Sequence, residues 1–307
     1  MADGPLQVTV DDCTAPQARA LGDWLRLLRL PHWAKNGIVF PAVLLAGRAA
    51  EPAAWQQAAW VFAAFCLASS SVYAVNDLLD CQADRLHPSK CRRPVAAGRC
   101  GVGTAVWTAV LLALAALGLA VRAAAPAAIC VLAYLALNLA YSLRLKHVPI
   151  ADGGCIAAGF VLRLVASLGV PGPDLRQWLL LASVFLLCLC VALAKRTADL
   201  RLLMGGASGV PSGLGLDGYT PGSLRLLLPA VAAATVLVYG LFAWVAGSGT
   251  VLPMLTLLPV LFSLFRLARL STAGVYVEQI DLVRSDGRLL ASALAWLALW
   301  GWISIPG

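Results

Sequence analysis

Residues 76–98 read NDLLDCQADRLHPSKCRRPVAAG, a stretch that begins with four side chains bearing oxygen ligands. On a helix that turns about 100° per residue, these four side chains share one arc of roughly 100°. Carboxylates so close together repel one another unless a cation lies among them. Oxygen ligands suit Mg²⁺, which prefers to share its coordination with the phosphates of a substrate. We therefore predict a magnesium site formed by Asn76, Asp77, Asp80 and Asp84.

A basic cluster follows the acids in the same stretch. Basic side chains bind phosphate groups through charge-assisted hydrogen bonds. The alternative is a hydrated, charged membrane loop, but the order of acids, then Pro88, then basic residues favours a phosphate site. The predicted phosphate-binding residues of this cluster are Arg85, Lys90, Arg92 and Arg93.

The composition indicates a membrane protein. Of 307 residues, 61% are hydrophobic and 12% are charged, and the mean hydropathy is +0.83. No soluble domain needs so much apolar residue, and Leu- and Ala-rich stretches without alternation favour helices over barrel strands. We predict an all-α, polytopic membrane helical bundle forming a single domain at 21–307, after a mobile tail at 1–20. The nine predicted membrane helices lie at about 34–49, 53–75, 101–121, 124–143, 150–170, 176–194, 223–246, 250–268 and 289–305.

Basic residues are distributed unevenly along the chain. If the N-terminus is cytoplasmic, 19 of the 23 Lys and Arg residues lie in cytoplasmic segments, three in outer loops and one within a helix. This distribution follows the positive-inside rule, so we predict a multi-pass protein of the inner cell membrane with its N-terminus and active site in the cytoplasm. The net charge of +8 then reflects topology, and no nucleic-acid partner is expected. The cysteines of the predicted cytoplasmic loop, Cys81, Cys91 and Cys100, are expected to stay reduced.

The UbiA superfamily of intramembrane prenyltransferases has a first aspartate-rich motif that resembles Asn76-Asp77-x-x-Asp80-x-x-x-Asp84-Arg85-x-x-Pro88-x-Lys90-x-x-Arg93-Pro94. Further stretches resemble one branch, the decaprenyl-phosphate phosphoribosyltransferases, although His32 stands where that branch usually has Gln. These stretches are Arg29-x-Pro31-x-Trp33-x-Lys35-Asn36, Tyr141 with Lys146-His147, Asp152 with Gly159-Phe160 and Arg163, Lys195-Arg196-x-x-Asp199-Leu200, and Asp281-x-x-x-Ser285-Asp286.

The segment around Lys195 and Arg196 separates this chain from a typical aromatic prenyltransferase of the superfamily. Such enzymes carry a second aspartate-rich motif there, whereas this chain keeps only Asp199. One carboxylate cannot readily build a second Mg²⁺ site, while two cations can hold a phosphate. Arg163 is also expected to bind phosphate, because a charge within a membrane helix costs at least about 2.5 kcal/mol.

The resemblance implies transfer of a phosphoribosyl group from phosphoribosyl diphosphate to a polyprenyl phosphate, with Mg²⁺ as cofactor and diphosphate as product. Two alternatives remain: a prenyltransferase acting on an aromatic or other small acceptor, and a non-catalytic membrane scaffold or lipid carrier. Membrane lipids are expected partners, and a homo-oligomer is possible. The expected catalytic residues are Asp77, Asp80 and Asp84, and the expected phosphate-binding residues beyond the basic cluster are Lys35, Tyr141, Lys146, Arg163, Lys195 and Arg196.

Overall fold

The computed structural model describes residues 20–86, 90–169, 174–204, 218–247, 250–273 and 286–304, so most of the tail predicted at 1–20 lies outside it, as do Asp281 and Ser285. The described residues form helices and connecting turns, without a β-strand. The helices are α1 (Ala20–Leu28), α2 (Val39–Leu45), α3 (Pro52–Leu79), α4 (Cys81–Arg85), α5 (Val102–Ala123), α6 (Ala125–Leu143), α7 (Ala151–Leu168), α8 (Leu175–Met204), α9 (Pro221–Ala246), α10 (Leu257–Thr272) and α11 (Gly287–Ile303). Short 3₁₀ helices cover Leu30–Ile38, Lys90–Arg92, Leu145–His147 and Leu252–Thr256.

Seven helical segments of the described chain are long and apolar enough to cross a membrane. They are α3, α5, α6, α7, α8, α9 and the combined 3₁₀ and α segment Leu252–Thr272. The predicted span at 289–305 is α11, a shorter apolar helix of 17 residues. The first predicted span, 34–49, is not one regular helix: it begins in the 3₁₀ helix Leu30–Ile38 and continues as α2. The all-α membrane architecture is confirmed, and the count of nine spans is approximate.

Helix ends follow local sequence signals. Helix α9 begins with a capping box, in which Thr220 accepts from the backbone N–H of Ser223 and the Ser223 side chain returns the bond, followed by Pro221 at the first turn. Helix α7 ends at Gly169, whose φ of +64° suits glycine in a left-handed C-terminal cap.

Four apolar clusters are buried among the described residues, and two of them are the largest. The first joins α3 to α5 and α6 and includes Phe65, Val131 and several fully buried alanines, which allow the helices to approach closely. The second joins α2, α7, α8, α9 and α11, and includes Leu164, Phe242 and Trp300. The hydroxyl of Tyr239 fixes this second cluster.

Tyr239 connects three helical segments through its hydroxyl group. It accepts from the indole N–H groups of Trp296 at 2.6 Å and Trp300 at 3.0 Å, and donates to Thr256 Oγ1 at 2.8 Å. A buried tyrosine hydroxyl with three partners contributes specificity as well as stability.

The chain after α4 folds back against the end of α3. Val95 is buried in a small cluster with Leu27 and Ala74, and this packing brings Arg93 beside Asp77 of α3 and Asp84 of α4. In this segment Cys81 and Cys100 carry free thiols, and Cys91 is buried.

Arginines bind helix C-terminal carbonyls at the opposite end of the bundle. Arg48 donates to the carbonyl of Leu168 at 3.2 Å, and Arg176 donates to the carbonyl of Leu45 at 2.7 Å. These cations satisfy the final carbonyls of α7 and α2 and oppose the negative ends of the helix dipoles.

Candidate active site

The acidic side chains lie where α3 ends and α4 begins. Asn76 and Asp77 occupy the last turn of α3, and Asp84 lies in α4. Asp80 joins the two helices with φ −92° and ψ 2°, so the backbone leaves regular helical geometry there. The predicted shared arc is therefore interrupted, and Asp80 diverges from its two neighbouring acids in its contacts.

Asp77 and Asp84 form one buried pair, with exposed fractions of 1% and 3%. Arg93 Nη1 lies 2.6 Å from Asp84 Oδ2 and 3.3 Å from Asp77 Oδ1, so a single nitrogen contacts both carboxylates. Arg29 Nη2 approaches the same Asp77 oxygen at 2.5 Å. Two guanidinium groups thus balance the two carboxylates, which relieves the repulsion predicted from the sequence.

Arg29 reaches the acid pair from a strained backbone position. Its φ and ψ are both 50°, in the left-handed region that residues other than glycine rarely adopt. The guanidinium carbon lies 4.7 Å from the centre of the Tyr73 ring, a distance at which a cation is attracted to the ring face.

Asp80 pairs with the loop between α6 and α7. Lys146 Nζ lies 2.8 Å from Asp80 Oδ1, and Lys146 belongs to the 3₁₀ helix Leu145–His147. Nearby, the hydroxyl of Ser142 donates to Asn76 Oδ1. The structure therefore brings the predicted residues Asn76, Asp80 and Lys146 to one end of the bundle with Asp77, Asp84 and Arg93.

A second polar cluster joins α7, α8 and the start of α9. Arg196 donates to Asp152 Oδ2 through Nε at 2.8 Å and Nη2 at 2.7 Å, and its Nη1 lies 3.7 Å from Asp199 Oδ2. The Asp199 oxygen is buried and has no hydrogen-bond partner within the described chain. Tyr219 donates to Asp152 Oδ1 at 2.8 Å. Burial and the hydrogen bond to Asp152 raise the pKa of Tyr219 to about 12, so its hydroxyl keeps its proton near neutral pH.

Arg163 lies apart from both polar clusters, 6% exposed within α7. Its Nε donates to Asn36 Oδ1 at 2.7 Å, Nη1 to the Gly159 carbonyl at 2.6 Å, and Nη2 to the Tyr134 hydroxyl at 3.2 Å. The guanidinium also lies over aromatic rings, those of Tyr134 at 4.6 Å, Phe65 at 5.2 Å and Phe160 at 5.3 Å. Since each guanidinium nitrogen donates to a protein group, these contacts favour a packing role over phosphate binding.

The other predicted phosphate ligands differ in exposure. Arg85 donates from Nε to the carbonyl of Ala96 at 3.1 Å, which holds the end of α4 against the following turn. Those that lie half-buried are Lys35, Tyr141 and Lys195, and those that are exposed are Arg85, Lys90 and Arg92.

Several residues with direct contacts in these clusters were absent from the site predicted by sequence, among them Arg29, Ser142, Asp152 and Tyr219. Arg29 and Asp152 stood within the quoted motifs, so a signal for both was present in the sequence. Ser142 and Tyr219 stood within none, because their roles depend on contacts made across 66 and 67 residues of chain.

The acid pair fits a hard cation in donor type. Asp77 and Asp84 offer carboxylate oxygens near one point, and Asn76 supplies an amide oxygen one residue away, which is the chemistry that Mg²⁺ prefers. Among the described residues no three His, Cys, Asp or Glu side chains converge tightly enough to enclose a metal by themselves. The arrangement therefore suits a cation that takes its remaining ligands from substrate and water.

Comparison with known proteins places this chain in a family. Residues 38–275 match the UbiA prenyltransferase family. The decaprenyl-phosphate phosphoribosyltransferase of Corynebacterium glutamicum is 34% identical over 281 residues, covering 89% of this chain and 84% of that protein. The protein of the same name from Mycolicibacterium smegmatis is 33% identical over 300 residues, covering 93% of each chain.

Solved structures show the same fold at lower sequence identity. A UbiA homolog from Archaeoglobus fulgidus bound to GPP and Mg²⁺ superimposes with a TM-score of 0.69 at 18% identity, covering 92% of this chain and 99% of that one. A digeranylgeranylglyceryl phosphate synthase gives a TM-score of 0.60 at 16% identity, covering 92% and 94%. With an acid pair at the end of a membrane helix, a matching helical fold and relatives across nine-tenths of its length, this chain belongs to the UbiA prenyltransferase family.

Proposed function

We propose that this protein transfers the phosphoribosyl group of phosphoribosyl diphosphate to the phosphate of a polyprenyl phosphate and releases diphosphate. The observation that carries this proposal is the 33% identity to a decaprenyl-phosphate phosphoribosyltransferase over 93% of both chains. The site supports it, because two separate clusters of cationic side chains suit two phosphorylated reactants. We also propose that this end of the bundle faces the cytoplasm, following the distribution of basic residues.

The donor binds at the acid pair. Asp77, Asp84 and Asn76 would hold Mg²⁺, which supplies charge neutralisation to the departing diphosphate. Arg29 and Arg93 already touch the carboxylates, so their remaining N–H groups can reach phosphate oxygens bound at the same place. Lys146 and the exposed residues of the basic cluster add positive charge at the rim.

The reaction is a substitution at the anomeric carbon of the ribose. A phosphate oxygen of the polyprenyl phosphate forms the new bond to this carbon as the bond to the diphosphate oxygen breaks, and the electron pair leaves with diphosphate. The nucleophile is already an anion at neutral pH, so the protein needs no strong general base. Positioning and charge stabilisation provide most of the rate enhancement.

The second cluster suits the acceptor end of the reaction. Lys195 and Lys35 are the half-buried cations that we assign to the acceptor phosphate. Arg196 is committed to Asp152, so its role is to order this cluster. Asp199 Oδ2, which lacks a hydrogen-bond partner within the described chain, can accept a hydrogen bond from a ribose hydroxyl.

The lipid tail needs an apolar path next to this site. An apolar groove of about 860 Å³ runs between α8, α9 and α10, and its lining includes Leu228, Ala232 and Leu264. Arg201 and Arg225 lie in the same lining, on the turns of α8 and α9 nearest the site. We assign the polyprenyl chain to this groove, since it combines a long apolar wall with cations at one end.

Purified protein in lipid nanodiscs tests the proposal. It is supplied with phosphoribosyl diphosphate radiolabelled in the ribose and with polyprenyl phosphates of several lengths, with Mg²⁺ or with excess chelator. The expected result is label in the lipid extract and stoichiometric release of diphosphate, both dependent on Mg²⁺. If the protein instead consumes a prenyl diphosphate with an aromatic acid, and never phosphoribosyl diphosphate, it is a prenyltransferase and this proposal is wrong.

A further inference from the structure

The loop that carries Lys146 ends in a strained residue. Ile150 has φ +67° and ψ −41°, immediately before α7 begins. A β-branched residue at positive φ is a genuine outlier, since its Cβ crowds the backbone. Such a conformation persists only where surrounding contacts impose it, and residues of this kind cluster at functional sites.

Besides backbone hydrogen bonds within the turn, a side-chain contact from Tyr219 holds Ile150. The Tyr219 hydroxyl accepts from the backbone N–H of Ile150 at 2.6 Å and donates to Asp152 Oδ1 at 2.8 Å. The other oxygen of Asp152 accepts from Arg196 at 2.7 Å and 2.8 Å. The tyrosine hydroxyl therefore bridges the strained turn to a buried ion pair.

The backbone before Tyr219 also packs closely against the Pro149–Ile150 turn. Gly218 has φ +80°, and a Cβ at this position would lie 2.5 Å from Pro149 Cγ. Only glycine permits this approach and this conformation together. The capping box of Thr220 and Ser223 fixes this segment to the start of α9. Gly218 and Tyr219 therefore contact the Pro149–Ile150 turn from a well-anchored segment.

We infer that Tyr219 is a positioning residue, whose hydroxyl holds the Pro149–Ile150 turn so that Lys146 stays at Asp80. The inference rests on the proposed function. Lys146 lies four residues before Ile150, within the same short connection between α6 and α7, and its ammonium group is 2.8 Å from Asp80. The hydrogen bonds of Tyr219 thus link the connection that carries Lys146 to the Arg196 cluster, so the two halves of the site are ordered together.

A double-mutant cycle tests this link. Tyr219→Phe removes only the hydroxyl, and Lys146→Met removes the cation that we expect it to position. Each single variant should raise KM for phosphoribosyl diphosphate, Tyr219→Phe by about three- to tenfold. The double variant should match Lys146→Met within about twofold, because a positioning residue has no effect once its target is gone. Effects that multiply would overturn the inference.

Tyr239→Phe is the matched control for loss of a buried tyrosine hydroxyl. The Tyr239 hydroxyl has three hydrogen-bond partners, Trp296, Trp300 and Thr256, none of which belongs to the Arg196 cluster. This variant should lower thermal stability while its effect on KM stays independent of Lys146. If Tyr239→Phe shows the same non-additivity with Lys146→Met, the coupling is a general stability effect and the inference fails.

Amide hydrogen exchange provides a readout that does not need activity. Tyr219→Phe and Gly218→Ala should each speed exchange in residues 147–151, whereas Lys146→Met should leave the Ile150 amide protected. If wild-type protein transfers no phosphoribosyl group but exchange changes as stated, the proposed function is wrong and the structural link stands. If wild-type protein is active and exchange is unchanged in both variants, the link is wrong and the proposed function stands.

Discussion

At the scale of single residues, Asp77 and Asp84 share one nitrogen of Arg93, with Arg29 completing the charge balance. Asp84→Asn should reduce phosphoribosyl transfer by about 10²-fold or more, because a neutral amide holds neither a cation nor Arg93 as a carboxylate does. Steady-state transfer kinetics check this loss, and the electron paramagnetic resonance signal of added Mn²⁺ checks binding of the ion.

Asp23→Asn is the control for that substitution. Asp23 is likewise buried, and it accepts from Arg99 Nε at 3.0 Å away from the acid pair. The Asp23→Asn variant should be less stable than wild type but keep its Mn²⁺ affinity. Equal Mn²⁺ affinity in Asp84→Asn and wild type would remove Asp84 from the metal site.

Arg163 also requires a test at the residue scale, since its sequence position and its contacts point to different roles. Arg163→Gln should lower the midpoint of thermal unfolding, with a stability loss of about 3 kcal/mol, because several buried hydrogen bonds to a charged group disappear. The KM for phosphoribosyl diphosphate should stay within about twofold of wild type. An unchanged midpoint with a strongly raised KM would restore phosphate binding as the role of Arg163.

At the scale of elements, the sequence predicted long helices well and their ends less well. Runs of Leu and Ala predicted α3 and α5 to α9, because in a bilayer each backbone polar group must be satisfied within the helix. The chain before α2 forms a 3₁₀ helix and not the start of a regular span, because Pro31 and Gly37 disfavour a regular α-helix there.

In the candidate site too, the sequence predicted the residue types but not the contacts between residues distant in the chain. The residue types of the acidic stretch predicted a phosphate and metal site. They did not predict that Asp80 pairs with Lys146, because that contact joins residues 66 positions apart. The role of Tyr219 was invisible for the same reason, as the strain at Ile150 exists only in the folded backbone.

Helix α11 begins with an acid that should make its docking sensitive to pH. The hydrogen bond from Arg266 holds the pKa of Asp286 below its usual range, and the same carboxylate caps α11 through the backbone N–H of Arg288. A carboxyl whose pKa is lower in the folded state than in the unfolded state contributes stability above the unfolded pKa of about 3.9. That stability is lost as pH falls through the folded pKa.

Hydrogen exchange across α11 between pH 6 and pH 3, corrected for the intrinsic rate, measures this effect. Protection should fall at the acid end of the range in wild type. Asp286→Asn should show weaker protection at pH 6 and a flatter profile. Identical profiles for the two proteins would show that the Arg266–Asp286 pair does not stabilise α11.

At the scale of the whole molecule, the groove between α8, α9 and α10 offers a path for the acceptor lipid. Ala232→Trp should fill part of this groove and raise KM for polyprenyl phosphate by about tenfold, with KM for phosphoribosyl diphosphate unchanged. Ala136→Trp, on an exposed face of α6, is the control for adding an indole to a membrane helix. If both variants behave alike, the lipid tail lies elsewhere.

The four-residue balance of Arg29, Asp77, Arg93 and Asp84 has a kinetic consequence. Its formal charges cancel, so a divalent cation arriving alone would add excess positive charge beside two guanidiniums. The donor arriving alone would place its diphosphate against two carboxylates. Entry of cation and donor as one complex disturbs the local charge least, so we expect that complex to be the substrate. Velocity should then follow the concentration of the complex, and a large excess of either free component should slow the enzyme.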